Sequence, residues 1–136
     1  MFDMEALPSD PSGKKMSAKG RIPTEGEFFK DHFPAFPVLP GVLALAILTQ
    51  TLERRYEELG SPYFFSLKKI RQVKFSSTLR PGDLWESCLE RLQETEDRSE
   101  WYGRLFHQGR VAVSARLTFQ RHPSFKKARQ IQEVLS

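Results

Sequence analysis

The hydrophobic pattern of this chain is most concentrated near position 45. Apolar residues fill nearly every position from 42 to 48, and they then thin out among charged residues as far as position 59. The later spacing follows one face of a helix, so the pattern predicts an α-helix over residues 41–59 whose first half is buried on all sides. Gly60 suits the residue just past a helix end, and Pro62 prevents continuation.

The second half of the chain carries strand patterns. Residues 111–120 alternate between apolar and polar or small side chains, which is typical of a half-buried β-strand. Residues 101–107 are predicted to pair with this strand as a hairpin across Gln108-Gly109, and residues 68–78 and 84–92 to form two more strands. Residues 14–22 are predicted to form a strand ahead of the helix. The arrangement predicted is an α+β fold, with an antiparallel sheet wrapped around one long helix.

The domain organisation is simple. At 136 residues the chain has the size of one domain, for which we expect a flexible leader over residues 1–13, the folded domain over 14–121 and a tail or short helix over 122–136. The lone Cys88 allows no internal disulfide and favours a reducing compartment. No apolar run approaches the ~20 residues that span a membrane. The sequence therefore predicts a cytoplasmic protein without a membrane partner.

The charge balance is basic. Twenty-one Lys and Arg residues stand against 17 Asp and Glu residues, a net charge of +4 and a pI of about 9.4. This excess fits an anionic partner, and it also fits an ordinary solvated surface. The chain has no nucleic-acid motif, no glycine-rich phosphate loop and no Cys/His metal spacing. We therefore expect no nucleic-acid partner, no metal and no cofactor.

Candidate chemistry concentrates in residues 28–41, which read FFKDHFPAFPVLPG. His32 lies between aromatic residues, and three prolines then lead the chain into Gly41. Each proline fixes φ near −65° and pushes the preceding residue toward extended backbone, so this segment is a constrained loop that feeds the buried helix. A rigid loop with a histidine, next to an apolar helix, is a candidate site.

The motif His32-Phe33-Pro34, followed by Pro37, by the run from Pro40 to Leu43 and by Gln50, resembles the signature of the FabA/FabZ-type β-hydroxyacyl-acyl carrier protein dehydratases. The similarity extends from about residue 15 to about residue 121, and it includes residues 69–75 and the turn at 80–83. The resemblance implies a hot-dog fold and a hydro-lyase that removes water from 3-hydroxyacyl thioesters, in the synthesis of fatty acids or related acyl chains.

The resemblance also implies residue roles. His32 would be the base, the backbone N–H of Gly41 would polarise the thioester carbonyl, and the carbonyl of Val38 would orient the histidine ring. The Gly41 role has independent support, because the first amides of a helix are unpaired and carry positive potential. The family's acidic residue, fourteen positions after the histidine, falls on Ala46 here, and its usual glycine after His-Phe-Pro is Ala35. The residues expected against the acyl chain are Phe33, Phe36, Pro40 and Val42.

No other side chain replaces the missing acid in an obvious way. Glu53 lies seven residues beyond Ala46, which is ~10 Å along a helix. Gln50 shares the face of Ala46 but has no titratable proton, and Asp31 has no assured direction. A histidine that is merely packed and hydrogen-bonded is the non-catalytic interpretation of His32.

Three functional hypotheses follow. The first is a dehydratase-like enzyme acting on an acyl carrier protein or another acyl thioester. The second is a non-catalytic subunit that binds the acyl chain or its carrier and pairs with an active hot-dog partner. The third is a hot-dog thioesterase, against which the apolar Ala46 also counts. A homodimer or a larger assembly of dimers is expected, since a single hot-dog unit leaves a sheet edge unpaired.

Overall fold

The fold is a six-stranded antiparallel sheet with a long helix against it. The computed structural model describes residues 2–8, 12–24, 39–61 and 63–123. The sheet has the strand order β1-β2-β4-β5-β6-β3. This architecture confirms the predicted α+β class and the hot-dog arrangement. The elements in chain order are β1 (Met4–Leu7), β2 (Lys15–Arg21), α1 (Gly41–Glu58), β3 (Tyr63–Phe75), β4 (Leu84–Glu94), β5 (Arg98–His107) and β6 (Arg110–Pro123).

The core lies between α1 and one face of the sheet. Ile47, Leu48 and Leu52 of the helix are fully buried against sheet residues such as Trp101 and Leu117. Fully burying one such side chain stabilises a fold by roughly 1.5–3 kcal/mol. These buried side chains therefore hold the helix against the sheet, which fixes the position of its first residue, Gly41.

Most predicted elements are confirmed. The helix ends as expected, with Gly60 at φ 68°, and the β5–β6 turn has positive φ at both Gln108 (52°) and Gly109 (75°), which is typical of a two-residue hairpin turn. The prediction for β3 is displaced, because the strand begins at Tyr63 rather than at position 68 and ends at Phe75. The pairing of β3 with β6 has two register shifts, and they interrupt the alternation of apolar and polar residues from which the bounds of β3 could be predicted.

The predicted leader needs correction. Within residues 1–13, Met4–Leu7 forms the edge strand β1 against β2, and Phe2 and Met4 are core residues with exposures of 2% and 8%. At the other end, β6 continues to Pro123, two residues beyond the predicted domain limit at 121. The remainder of the predicted tail, residues 124–136, lies outside the described residues.

The second sheet edge, β3, carries apolar side chains on its surface. Within the described chain β3 pairs only with β6, so its outer backbone edge is unpaired. The exposed fractions of Leu67, Ile70, Val73 and Phe75 range from 36% to 55%. Unpaired strand edges with apolar side chains are the parts of a sheet that pair with other chains. No described helix is both long enough and apolar enough to cross a membrane.

Candidate functional site

The start of α1 presents unpaired backbone amides. Pro40 caps the helix with φ −56° and ψ 143°, and its carbonyl accepts from the N–H groups of Leu43 (3.0 Å) and Ala44 (3.1 Å). No acceptor among the described residues is bonded to the N–H groups of Gly41 or Val42. These two donors and the positive end of the helix dipole suit an oxygen that becomes negatively charged during a reaction.

The structure describes half of the predicted site. Pro40, Gly41, Val42 and Ala46 lie together in the first two turns of α1 or directly before it. The other predicted residues lie outside the described residues, so their roles remain predictions. They are His32, Phe33, Phe36 and Val38.

A groove of about 620 Å³ runs beside Ala46, between α1 and the edge strand β3. Val42 stands at one end of the groove and is 72% exposed, and its contact with the acyl chain stays a prediction. Leu45, Leu67 and Ile70 supply further apolar walls. With alanine at position 46, the middle of this groove carries no carboxylate.

Among the residues that line the groove, the carboxylates are those of Glu53 and Glu57, at its far end. Burial, together with the neighbouring charge of Glu57, raises the pKa of Glu53 above its usual range. Arg54 in the same stretch pairs with Glu58 at 3.3 Å. Glu53 is two helical turns from Ala46, or ~10 Å along the axis. It therefore shares the groove without taking the position of the missing acid.

Gln50 has a role that sequence analysis missed. Its side-chain Oε1 accepts from the N–H of Phe2 (3.0 Å), and its Nε2 donates to the carbonyl of Phe2 (2.6 Å). This two-point hydrogen bond ties the segment before β1 to the helix. The amide of Gln50 is thus engaged in holding the fold rather than in the chemistry of the groove.

Phe75 is a second residue that sequence analysis did not single out. A Cβ atom built on Gly41 would lie 2.8 Å from both Cε1 and Cζ of Phe75, which is closer than real Cβ atoms approach. The ring therefore covers the first residue of α1 in van der Waals contact. In the sequence, the signal of this contact was the glycine directly after Pro40. That glycine belongs neither to a phosphate-binding loop nor to a turn, so its lack of a side chain needs another reason.

The two described histidines belong to other parts of the sheet. His107 Nδ1 lies 2.8 Å from the carbonyl of Leu84, and His122 Nε2 lies 2.8 Å from the hydroxyl of Ser66. Neither lines the groove beside Ala46. Within the described ranges, no three His, Cys, Asp or Glu side chains are grouped as a metal site requires.

Comparisons with known proteins bear on the family of this chain. Residues 8–120 match the model of the ApeI-like family, described as ApeI dehydratase. The 3-hydroxyacyl-[acyl-carrier-protein] dehydratase FabZ of Ligilactobacillus salivarius is 34% identical over 113 residues, covering 79% of this chain and 78% of the relative. FabZ of Actinobacillus succinogenes is 32% identical over 108 residues, covering 77% and 72%.

Solved structures extend the likeness to the fold. A putative thioesterase, yhdA, from Lactococcus lactis has a TM-score of 0.68 at 16% identity, covering 90% of this chain and 91% of that one. A thioesterase from Haemophilus influenzae has a TM-score of 0.62 at 14% identity, covering 90% and 80%. At such identities the likeness shows a shared hot-dog fold, and it carries no information about activity.

Proposed function

The chain belongs to the ApeI-like dehydratase family, and from that membership we propose that it removes water from 3-hydroxyacyl thioesters bound to an acyl carrier protein. The observation that carries the proposal is the pair of unbonded N–H groups at the start of α1, on Gly41 and Val42. Relatives at 32% and 34% identity are 3-hydroxyacyl-[acyl-carrier-protein] dehydratases by name.

The proposed chemistry follows from these amides. His32 takes a proton from the carbon next to the thioester carbonyl. The carbonyl oxygen becomes negative and accepts a hydrogen bond from the N–H of Gly41. The bond between the third carbon and its hydroxyl oxygen then breaks, and the hydroxide takes a proton and leaves as water. A histidine suits the first step because its neutral form is available near pH 7.

Position 46 of this site has no acid to protonate the leaving hydroxide. Ala46 cannot supply a proton, so solvent water takes that role. A positioned general acid contributes ~10²–10⁴-fold to a rate. We therefore propose a dehydratase that is slow compared with an enzyme that has the carboxylate.

Three lysines are the best candidates for contact with an acidic carrier protein. Lys68, Lys69 and Lys74 on β3 have no ion-pair partner among the described residues, whereas Arg71 is held by Glu100 at 2.7 Å. Arg54 and Arg55, near the end of α1, pair with Glu58. We therefore propose that carrier binding weakens as salt rises past the ~10 Å screening length of 0.1 M.

The unpaired edge of β3 is the proposed contact between subunits. Pairing two copies of β3 would extend the sheet and would cover the apolar side chains of Leu67 and Ile70. It would also close the groove beside Ala46, which β3 borders. A strictly monomeric mass in solution at micromolar concentration would contradict this part of the proposal.

A second candidate function is favoured by two observations, alanine at position 46 and the charge of β3. The strand carries four basic residues and no acidic one, so a self-paired β3 brings like charges together, which opposes pairing. The alternative is therefore a binding subunit whose hot-dog partner is a different chain, one that supplies both the carboxylate and the acidic neighbours.

The decisive experiment incubates the protein with a 3-hydroxyacyl carrier protein and follows enoyl and free-acid products by mass spectrometry. The variants are His32→Ala, Ala46→Glu and the control Thr49→Glu, which puts a carboxylate one turn further along the same groove. We expect slow enoyl formation that His32→Ala abolishes. We also expect Ala46→Glu to raise the rate at least tenfold, while Thr49→Glu does not.

Each alternative has its own outcome. Free acid without enoyl product identifies a thioesterase. Carrier binding without either product, in the wild type and in Ala46→Glu alike, identifies the binding subunit. A wild type that is fast, and that Ala46→Glu slows, means that another residue is the acid.

A further inference from the structure

A small cavity opens on the side of Gly41 away from the Ala46 groove. It has a volume of about 270 Å³, below the ~300–1,000 Å³ of sites for drug-sized ligands, so it has room for only a short group. Leu39, Ala44, Leu79 and Val113 form an apolar interior, and each is at most 5% exposed. Ser77 and Thr78 add the only polar side chains among the described residues that line it.

Phe75 is the apolar wall of this cavity that faces solvent. Its side chain is 55% exposed, in contrast to the buried interior, and its ring contacts Gly41. The backbone on which it stands is fixed, because Phe75 pairs with Val113 and the next two N–H groups, of Ser76 and Ser77, both donate to the carbonyl of Ala112 (2.7 and 3.2 Å). The ring can therefore swing outward about its own side-chain bonds while the strand stays in place.

The position of Gly41 links the cavity to the thioester. Gly41 lines the cavity and also carries one of the free N–H groups at the start of α1. A carbonyl oxygen held by that N–H has the apolar cavity directly beside it. The group that fits there is a short hydrocarbon part of the acyl chain, since a charged or strongly polar group would lose its water without gaining partners.

We infer that Phe75 is a specificity-determining residue, which limits the size of the acyl chain admitted to the cavity at the start of α1. This inference rests on the proposed function, because it assumes that an acyl thioester binds at Gly41. The closed ring favours short chains. Removing it opens the cavity toward solvent and along β3, so longer chains gain apolar contact that the native protein denies them.

The test compares the native protein with Phe75→Ala, Phe75→Leu and the control Val73→Ala. Val73 lies on the same strand and is exposed, but it does not line the cavity. Binding is measured by calorimetry with amide analogues of 3-hydroxybutyryl, 3-hydroxyhexanoyl, 3-hydroxyoctanoyl and 3-hydroxydecanoyl pantetheine. In these analogues N–H replaces the thioester sulfur, so they report binding whether or not the protein catalyses a reaction.

We expect the native protein to lose affinity as the chain lengthens. Phe75→Ala should reverse that trend, with a gain of about fourfold for each additional buried methylene, and Phe75→Leu should fall between the two. Val73→Ala should bind like the native protein. A native-like preference in folded Phe75→Ala, or an equal change in Val73→Ala, overturns the inference and leaves the proposed function standing. Failure of every analogue to bind the native protein overturns both.

Discussion

Substituting Gly41 by alanine tests the contact between α1 and β3 directly. The added Cβ would lie 2.8 Å from the ring of Phe75, so the ring must move. Overpacking costs ~1–3 kcal/mol in general, and the lower end applies here because Phe75 is 55% exposed and can rotate away. Alanine is itself favoured over glycine within a helix by ~0.5–1 kcal/mol. The net expectation is a small destabilisation in the native background.

The sign of this effect should change in the Phe75→Ala background. With the ring gone, Gly41→Ala retains only the helical gain and should stabilise the protein by up to ~1 kcal/mol. The coupling energy of the double-mutant cycle should therefore be ~1–2 kcal/mol, within the ~0.5–3 kcal/mol seen for contacting residues. Urea unfolding at one fixed protein concentration measures it. Equal destabilisation by Gly41→Ala in both backgrounds would refute the contact as the reason for glycine.

Three further substitutions test other parts of the structure. Gln50→Leu removes both hydrogen bonds to Phe2 and should lower the free energy of unfolding by ~1–3 kcal/mol, with β1 amides losing protection first in hydrogen exchange. Thr51→Val removes a buried hydroxyl 2.7 Å from that of Ser87 and should cost a similar ~1–3 kcal/mol, part of which Ser87→Ala recovers in the double variant. Burial raises the pKa of Glu53, so the native state keeps a proton on this carboxyl at a pH where the unfolded state has lost it. The protein therefore loses stability as pH rises from the unfolded pKa of ~4.3 through the raised pKa of the native state. Glu53→Gln should remove that loss, and a urea midpoint that falls equally with pH in both proteins would contradict this.

The sequence predicted elements well where the periodic pattern was uninterrupted. In β6, four of the five apolar residues at alternate positions, Val113, Ala115, Leu117 and Phe119, are at most 2% exposed. Val111 is only partly buried, and Ala112 and Ser114 on the opposite face are buried as well. The pattern failed for β1, because a four-residue strand is too short to show alternation and its place depends on the distant Gln50. It also failed for β3, because the first register shift, between Leu67 and Lys69, breaks the period of two at the predicted start of the strand.

The site was predictable only where its position follows from local backbone. Pro40 directly before the apolar run of residues 42–48 indicates a helix that starts at Gly41, and the free amides follow from that. The contact with Phe75 was not predictable, because it depends on how the end of β3 packs against the start of α1. The room around Ala46 likewise depends on the distance between two elements, which no periodicity encodes.

From the strand order we also expect the strands to pair in a particular sequence during folding. β4, β5 and β6 form two consecutive hairpins, so this meander closes only short loops and is expected to form early. β3 pairs with β6 although β4 and β5 lie between them in the chain, and that long loop makes it a late addition. Until β3 docks, the outer edge of β6 is open to other chains. A cell that makes this protein quickly therefore risks aggregation at β6, at a stage when the β3 edge is not yet available for pairing between subunits.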